Sequence, residues 1–237
     1  MTKALVLKIE FDTALFKVHY TKKFRLTYPI PLPTSVAGMF AAMIGHRGRR
    51  ETIRKFENCH FGAMVANKCK IIETVENATF IQLRKNVKGV AKTHLLVEPA
   101  YYIAISHPKD AVIQNVARII SEGCRFMPYG GQNDYFPKDW KIIDIPSISM
   151  ENRKIHNYLP DINVRSLQKN AHKGLTILPV MNKINAQSFY FITSPYAESF
   201  LISKYQIPTC NVFGRNLALY DLRDFYTVGK WSNNWKE

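Results

Sequence analysis

Three acid-free basic tracts hold most of the residues in this sequence that could do chemistry. Residues 13–50 carry Lys17, Lys22, Lys23, Arg25, Arg47, Arg49 and Arg50, and residues 77–97 carry Arg84, Lys85, Lys88 and Lys92. Residues 162–197 carry Arg165, Lys169, Lys173 and Lys183. Together the tracts hold as many positive charges as the whole formal net charge of +15, and the rest of the chain is balanced. An inert basic surface would scatter its excess evenly, so this segregation points to a face for a polyanion such as a phosphate backbone. Ordinary solvated lysines are the alternative.

The densest group is His46-Arg47-Gly48-Arg49-Arg50. One cation would suffice to cap a preceding helix, so four together make this the first choice for phosphate contacts. Second come Arg84, Lys85, Lys88 and Lys92, followed by His94, on a stretch that is either a finger or an idle surface loop. A third candidate is Arg125-Phe-Met-Pro-Tyr129-Gly-Gly-Gln-Asn-Asp134, where paired glycines let a backbone approach a phosphate and Tyr129 offers a stacking ring. A tight turn explains the glycines equally well. Phe24, Tyr28 and Tyr101 are further rings near basic residues.

These groups need positioning, and the sequence shows the elements that do it. Pro29, Pro31 and Pro33 hold the residues before them extended, so a helix begins only at Thr34 or Ser35 as N-cap. Val36, Met39, Phe40, Met43 and Ile44 then form one apolar stripe of period 3.6, and Gly45 is the expected stop. Gly38 in that helix costs roughly 1 kcal/mol against alanine, which predicts close packing on its side. Glu51 to Phe56 reads as a continuation. A second helix runs from Lys109 to Glu122, with Pro108 at its start and Gly123 at its end.

Period-two alternation marks a half-buried strand at Leu5 to Phe11, and Ala14 to Tyr20 is expected to return beside it. Strands follow at Phe61 to Ala66, Ile71 to Phe80, His94 to Val97, Ala100 to Ile105 and Lys141 to Ile145, with a cationic hairpin tip at Gln82 to His94. The order strand, helix, two strands, helix, strand is that of an α+β, ferredoxin-like domain. Residues 148–237 read as a β-rich extension with strands at Leu175 to Val180, Ser188 to Thr193 and Asn211 to Tyr220. Gly214-Arg-Asn216 is a turn or a second contact point.

At 237 residues and 46% hydrophobic, the chain can bury a sizeable core. It has no run of 18 apolar residues, and its N-terminus alternates instead of forming a signal peptide's apolar stretch, so no membrane role and a cytoplasmic location are expected. Cys59, Cys69, Cys124 and Cys210 lack Cys-x-x-Cys spacing, which argues against zinc and for reduced thiols. No metal site or cofactor is read from the sequence.

The stretch Tyr28-Pro-Ile-Pro-Leu-Pro-Thr-Ser-Val-Ala-Gly-Met-Phe-Ala-Ala-Met-Ile-Gly45, the basic insertion before Tyr101-Tyr-Ile103, and Met127-Pro-Tyr-Gly-Gly-Gln-Asn-Asp134 resemble the RAMP superfamily of CRISPR-associated proteins, most closely its Cas-five family. The resemblance spans roughly residues 1 to 145. It implies an RRM-like RAMP domain over residues 1–147 with a thumb hairpin inserted at about 80–95. It also implies a non-catalytic subunit of a type I interference (Cascade) complex for antiviral defence. Such a subunit binds the 5′ handle of CRISPR RNA, contacts the backbone and large subunits, and within the complex meets target DNA. The expected RNA contacts are Lys22, Lys23, Arg25, Tyr28, His46, Arg47, Arg49, Arg50, Arg84, Lys85, Lys88, Lys92, His94, Arg125 and Tyr129. One branch of the family is a metal-independent endoribonuclease that processes precursor RNA. For it Tyr28, His46, Lys92 and His94 would be candidates, although Thr93 separates Lys92 from His94 where that branch has Lys beside His. No catalytic residue is therefore assigned.

Overall fold

The structure, a computed structural model, describes residues 2–18, 24–67, 70–82, 85–132, 134–160, 164–167, 175–181, 186–193 and 199–222. Its first half runs β1 (Lys3–Phe11), β2 (Thr13–Ala14), β3 (Phe24–Arg25), α1 (Pro33–Ile44), α2 (Arg49–Lys55), β4 (His60–Val65), β5 (Lys70–Gln82), β6 (Lys85–Val97), β7 (Ala100–His107), α3 (Asp110–Glu122) and β8 (Pro137–Asp144). The described strands of the second half are β9 (Ile148–Ser149), β10 (Lys154–Ile155), β11 (Tyr158–Pro160), β12 (Val164–Leu167), β13 (Leu175–Met181), β14 (Ala186–Ile192), β15 (Leu201–Ser203), β16 (Thr209–Val212), β17 (Arg215–Ala218) and β18 (Tyr220–Asp221). No helix among the described residues is long and apolar enough to cross a membrane.

The central sheet has the order β18-β4-β7-β1-β8, with every neighbouring pair antiparallel. The expected half-burial of β1 holds only for its second half. Ala4, Leu5, Val6 and Leu7 are all buried, because both faces of the sheet are covered. Leu5, Leu7, Ile9 and Phe11 join a core with Val36, Met39, Phe40 and Met43 of α1 and with Ile113, Val116 and Ile120 of α3. Ala4 and Val6 face the other way, into a second cluster with Cys210, Val212, Leu217 and Leu219. The first cluster also takes in Tyr158, Phe189, Phe191 and Leu201, so residues from both halves share one interior.

Helix α1 starts earlier than expected. Pro33 is its first residue and Leu32 its N-cap, with no side-chain cap, so neither Thr34 nor Ser35 plays that part. Proline suits this position because its missing N–H is one the helix could not use. Gly45 ends the helix as expected, at φ 85°, with its N–H reaching the Ala42 carbonyl and the His46 N–H reaching Ala41. The backbone then breaks at Gly48, φ 95°, so α2 is a separate helix rather than a continuation. Gly38 departs from expectation too: a Cβ placed there would meet nothing within 4 Å.

Residues 15–18 do not extend β2. Instead the Val18 N–H bonds Leu26 and the Tyr28 N–H bonds Phe16, which ties the segment irregularly to residues 26–28. Strands β5 and β6 pair from Lys70 opposite Val97 to Gln82 opposite Lys85, so Gly89 lies in the ladder facing Ala78 rather than in a turn. Strands β2 and β3 both pair with β6 near its base. Strand β8 starts at Pro137, four residues before the expected position.

The outer edge of β4 is sealed along its length. Phe61 pairs with Tyr220 of β18, the Ala63 N–H donates to the Tyr158 hydroxyl at 3.1 Å, and the Val65 carbonyl accepts from the Arg215 guanidinium at 2.9 Å. Arg215 thus serves its own chain, and Phe213-Gly214, both at positive φ, is the hairpin turn between β16 and β17. Gly62 lets β17 come this close: a Cβ there would lie 2.3 Å from the Ala218 carbonyl oxygen.

The two glycines should therefore respond with opposite sign. Gly62→Ala is expected to destabilise by about 2 kcal/mol or more, because backbone must shift to admit the methyl group. Gly38→Ala should be neutral or stabilising by up to about 1 kcal/mol. Urea unfolding of both variants tests this, and a stable G62A protein would contradict the sealed edge.

Candidate nucleic-acid interface

The segment after α3 is laid along the exposed side of α1 and fastened at both ends. At one end the Arg125 N–H donates to the Met43 carbonyl at 2.8 Å, which the helix terminus leaves open, and the Phe126 N–H adds to the Ala42 carbonyl at 3.1 Å. Gly45 permits this approach, since a Cβ there would stand 3.0 Å from the Arg125 Cβ. At the other end Gly131, φ 91°, has no room for a side chain: a Cβ would lie 2.1 Å from the Leu15 carbonyl oxygen. The Leu15 N–H bonds the Gly130 carbonyl at 2.9 Å. The glycine pair thus lets this loop approach the chain's own backbone, which accounts for it without a phosphate.

Between the two anchors a cavity of about 230 Å³ opens, lined by Thr34, Ser35, Gly38, Met39, Tyr129 and Gly131. Tyr129 is 47% exposed. Phe126, Met127 and Phe136, which the sequence reading passed over, are exposed on the same segment. Their signal was available as three large apolar residues in a stretch punctuated by Gly and Pro.

The group after α1 divides. Arg47 is exposed, and its backbone N–H bonds the Glu51 carboxylate at 2.5 Å. His46 is half-buried, with its ring 4.8 Å from that of Phe56 and its Nδ1 without a hydrogen-bond partner among the described residues. Burial, helped by the nearby Lys55 ammonium, pushes its pKa below the ordinary value. Its ring is therefore harder to protonate than an exposed histidine's. The side chains of Arg49 and Arg50, in the first turn of α2, lie outside the described residues.

A second group surrounds the base of the β5–β6 hairpin. Phe24, exposed on β3, lies opposite Lys92, whose ammonium is 5.6 Å from the ring centre. Lys92 also sits 3.0 Å from the Glu73 carboxylate, and His94 Nε2 stands 3.8 Å from it. The hydrogen bond from Lys92 holds the Glu73 carboxyl below its usual range. On the other side of the hairpin Glu76 accepts from Arg25 at 3.1 Å and from the hydroxyls of Thr93 and Tyr135, both at 3.3 Å. Burial, with Glu76 adjacent, pushes the Tyr135 phenol up to about 12. The Tyr135 carbonyl in turn accepts the Gly130 N–H at 2.6 Å. Tyr135 and Glu76 thus join the loop on α1 to the hairpin base, a link the sequence reading missed.

Two expectations are corrected here. The tract 77–97 is free of acids in sequence but not in space, because antiparallel register brings Glu73 and Glu76 across to Lys92, Thr93 and His94. Tyr28 and Tyr101 are core residues rather than stacking platforms. Tyr28 is 2% exposed and stacks on Phe191, and the buried Tyr101 hydroxyl donates to the Pro29 carbonyl at 3.0 Å. Lys22, Lys23 and Arg84 lie outside the described residues, as do the side chains of Lys85 and Lys88. Arg125, exposed beside Gly45, is brought to the same end of α1 as His46 and Arg47.

The depressed His46 pKa has a definite sign for stability. Protonation favours the unfolded chain, whose imidazole titrates near 6.5, so the contribution is complete above that pH and is lost as pH falls through the lower folded value. His46→Phe should therefore gain melting temperature relative to the parent protein as pH drops from 7.5 to 5. A difference independent of pH would refute the neutral, buried state.

Residues 4–137 match the family described as CRISPR-associated protein (Cas_Cas5), more than half of the chain and all of it from β1 to the start of β8. No curated protein matches. A crystal structure of a CRISPR protein from Archaeoglobus fulgidus is similar with a TM-score of 0.50 at 10% identity, covering 92% of this chain and 99% of that one. A chain of a CRISPR RNA-guided surveillance complex is similar with a TM-score of 0.49 at 14% identity, covering 85% and 91%. At such identities the first of these speaks for the fold alone. Through the family match, the chain belongs to the CRISPR-associated Cas_Cas5 family.

Proposed function

We propose that this chain is a non-catalytic subunit of a type I CRISPR interference complex that binds and caps the 5′ handle of CRISPR RNA and contacts the backbone and large subunits. The observation that carries this reading is the loop on α1, where exposed Tyr129 and Phe126 stand on the same short segment as exposed Arg125, in a chain of net charge +15. Single-stranded RNA is held by cations on its phosphates and by rings under its splayed bases, and both are present on one rigid support. The strand order β4-β7-β1-β8, with α1 and α3 in one core on one face, supports reading residues 1–147 as a ferredoxin-like domain. On that reading the β5–β6 hairpin is its thumb and residues 148–237 are its extension.

Lys92 takes part despite its acidic neighbour. The Lys92–Glu73 pair is exposed and therefore screened by water, so a phosphate can replace Glu73 at Lys92 without much loss, while Arg25 stays on the part-buried Glu76. The endoribonuclease alternative draws on the same cluster, with His94 as base and Lys92 as the cation beside the leaving oxygen. It loses Tyr28, which is in the core.

RNA binding through about five phosphates should weaken roughly 10²-fold between 50 and 200 mM salt. Filter binding with repeat-derived RNA measures this, and a flat dependence would remove the RNA reading. Arg125→Ala and Arg47→Ala should each lower affinity several-fold and reduce the salt slope by about one phosphate. Incubation of the same RNA in EDTA should leave it intact. One defined cut, lost in His94→Ala, would establish the nuclease instead.

A further inference from the structure

Glycine inside a helix is a poor helix former, and the usual reason to keep one is a neighbour packed against it. Gly38 has no such neighbour, since a Cβ there would meet nothing within 4 Å. What it faces is the cavity between α1 and the loop that carries Tyr129. The opposite wall is held firmly, because that loop is pinned by Arg125 and Phe126 at one end of α1 and by Gly130 and Gly131 against Leu15 at the other. Thr34 and Ser35 line the cavity with hydroxyls that do not cap the helix, and Met39 adds an apolar floor. A flat ring with polar edges suits such a lining better than an aliphatic side chain does.

We propose that this cavity receives one unpaired nucleobase of a bound RNA strand, stacked on Tyr129 with its polar edge toward Thr34 and Ser35, and that Gly38 keeps the space open for it. The inference rests on the RNA-binding reading and gives it a position where a base, and not only phosphate, is gripped. A partner's aromatic side chain in the same place is the competing occupant. Stacking of a base on an aromatic ring contributes enough to be read as about tenfold in affinity.

Fluorescence anisotropy on the full chain can test this with four homo-octameric RNAs and an octameric ribose-phosphate strand lacking all bases. The parent protein should bind its best RNA about tenfold more tightly than the abasic strand. Gly38→Leu, which fills the cavity, and Tyr129→Ala should each bring that ratio close to one, and Tyr129→Phe should keep it. Tyr129 is half exposed, so its variants remain decisive even if Gly38→Leu does not fold. An unchanged ratio in Tyr129→Ala, or a ratio of one in the parent protein, would overturn the base site while salt-dependent RNA binding stands. Failure of the parent protein to bind any probe would overturn the RNA reading and the base site together.

Discussion

The rest of this fold depends on the double burial of β1. A strand whose alternate residues all leave water needs a layer on each face. Leu5 and Leu7 require α1 and α3, while Ala4 and Val6 require the β16–β17 hairpin. The helices come from the first half of the chain and the hairpin from the second, so the two halves form one body around a common interior. The loop on α1 inherits its rigidity from this, because α1 is fixed by Val36, Met39, Phe40 and Met43 in that interior.

Much of this was legible in the residues. The stripe from Val36 to Ile44, the stop at Gly45, the helix to Glu122 and most strands of the central sheet follow from periodicity and punctuation. What escaped depended on long-range packing. Val6 looks solvent-facing beside Lys8 and Glu10 because alternation reports one covered face, and nothing local announces that a hairpin 200 residues later will cover the other. Thr34 and Ser35 have the chemistry of a helix cap, but Pro33 already meets the geometric requirement one residue earlier. Gly38 carries the same helix penalty whether a neighbour or a void lies beside it, and only coordinates separate the two.

The charged residues teach a related lesson. Acid-free tracts along the chain are not acid-free surfaces, since a hairpin folds position i against position j. With Gln82 set opposite Lys85, the pairing of Glu73 with His94 follows at once. Without it, neither Glu73 nor Glu76 could be matched to Lys92 or Arg25. The aromatic side chains were misread for a similar reason: Tyr28 lies close to Lys22, Lys23 and Arg25 in sequence, but its ring is buried on Phe191, and the buried Tyr101 ring holds its hydroxyl on the Pro29 carbonyl.

The closed flank of β4 has a consequence for assembly. Strand β18, the Tyr158 hydroxyl and the Arg215 guanidinium occupy the outward backbone groups of Phe61, Ala63 and Val65, so no foreign strand can add to that side. Strand β8 is the edge of the central sheet on the far side. There Lys138, Asp139, Lys141 and Asp144 stand exposed, and charged side chains on an edge strand disfavour edge-to-edge pairing.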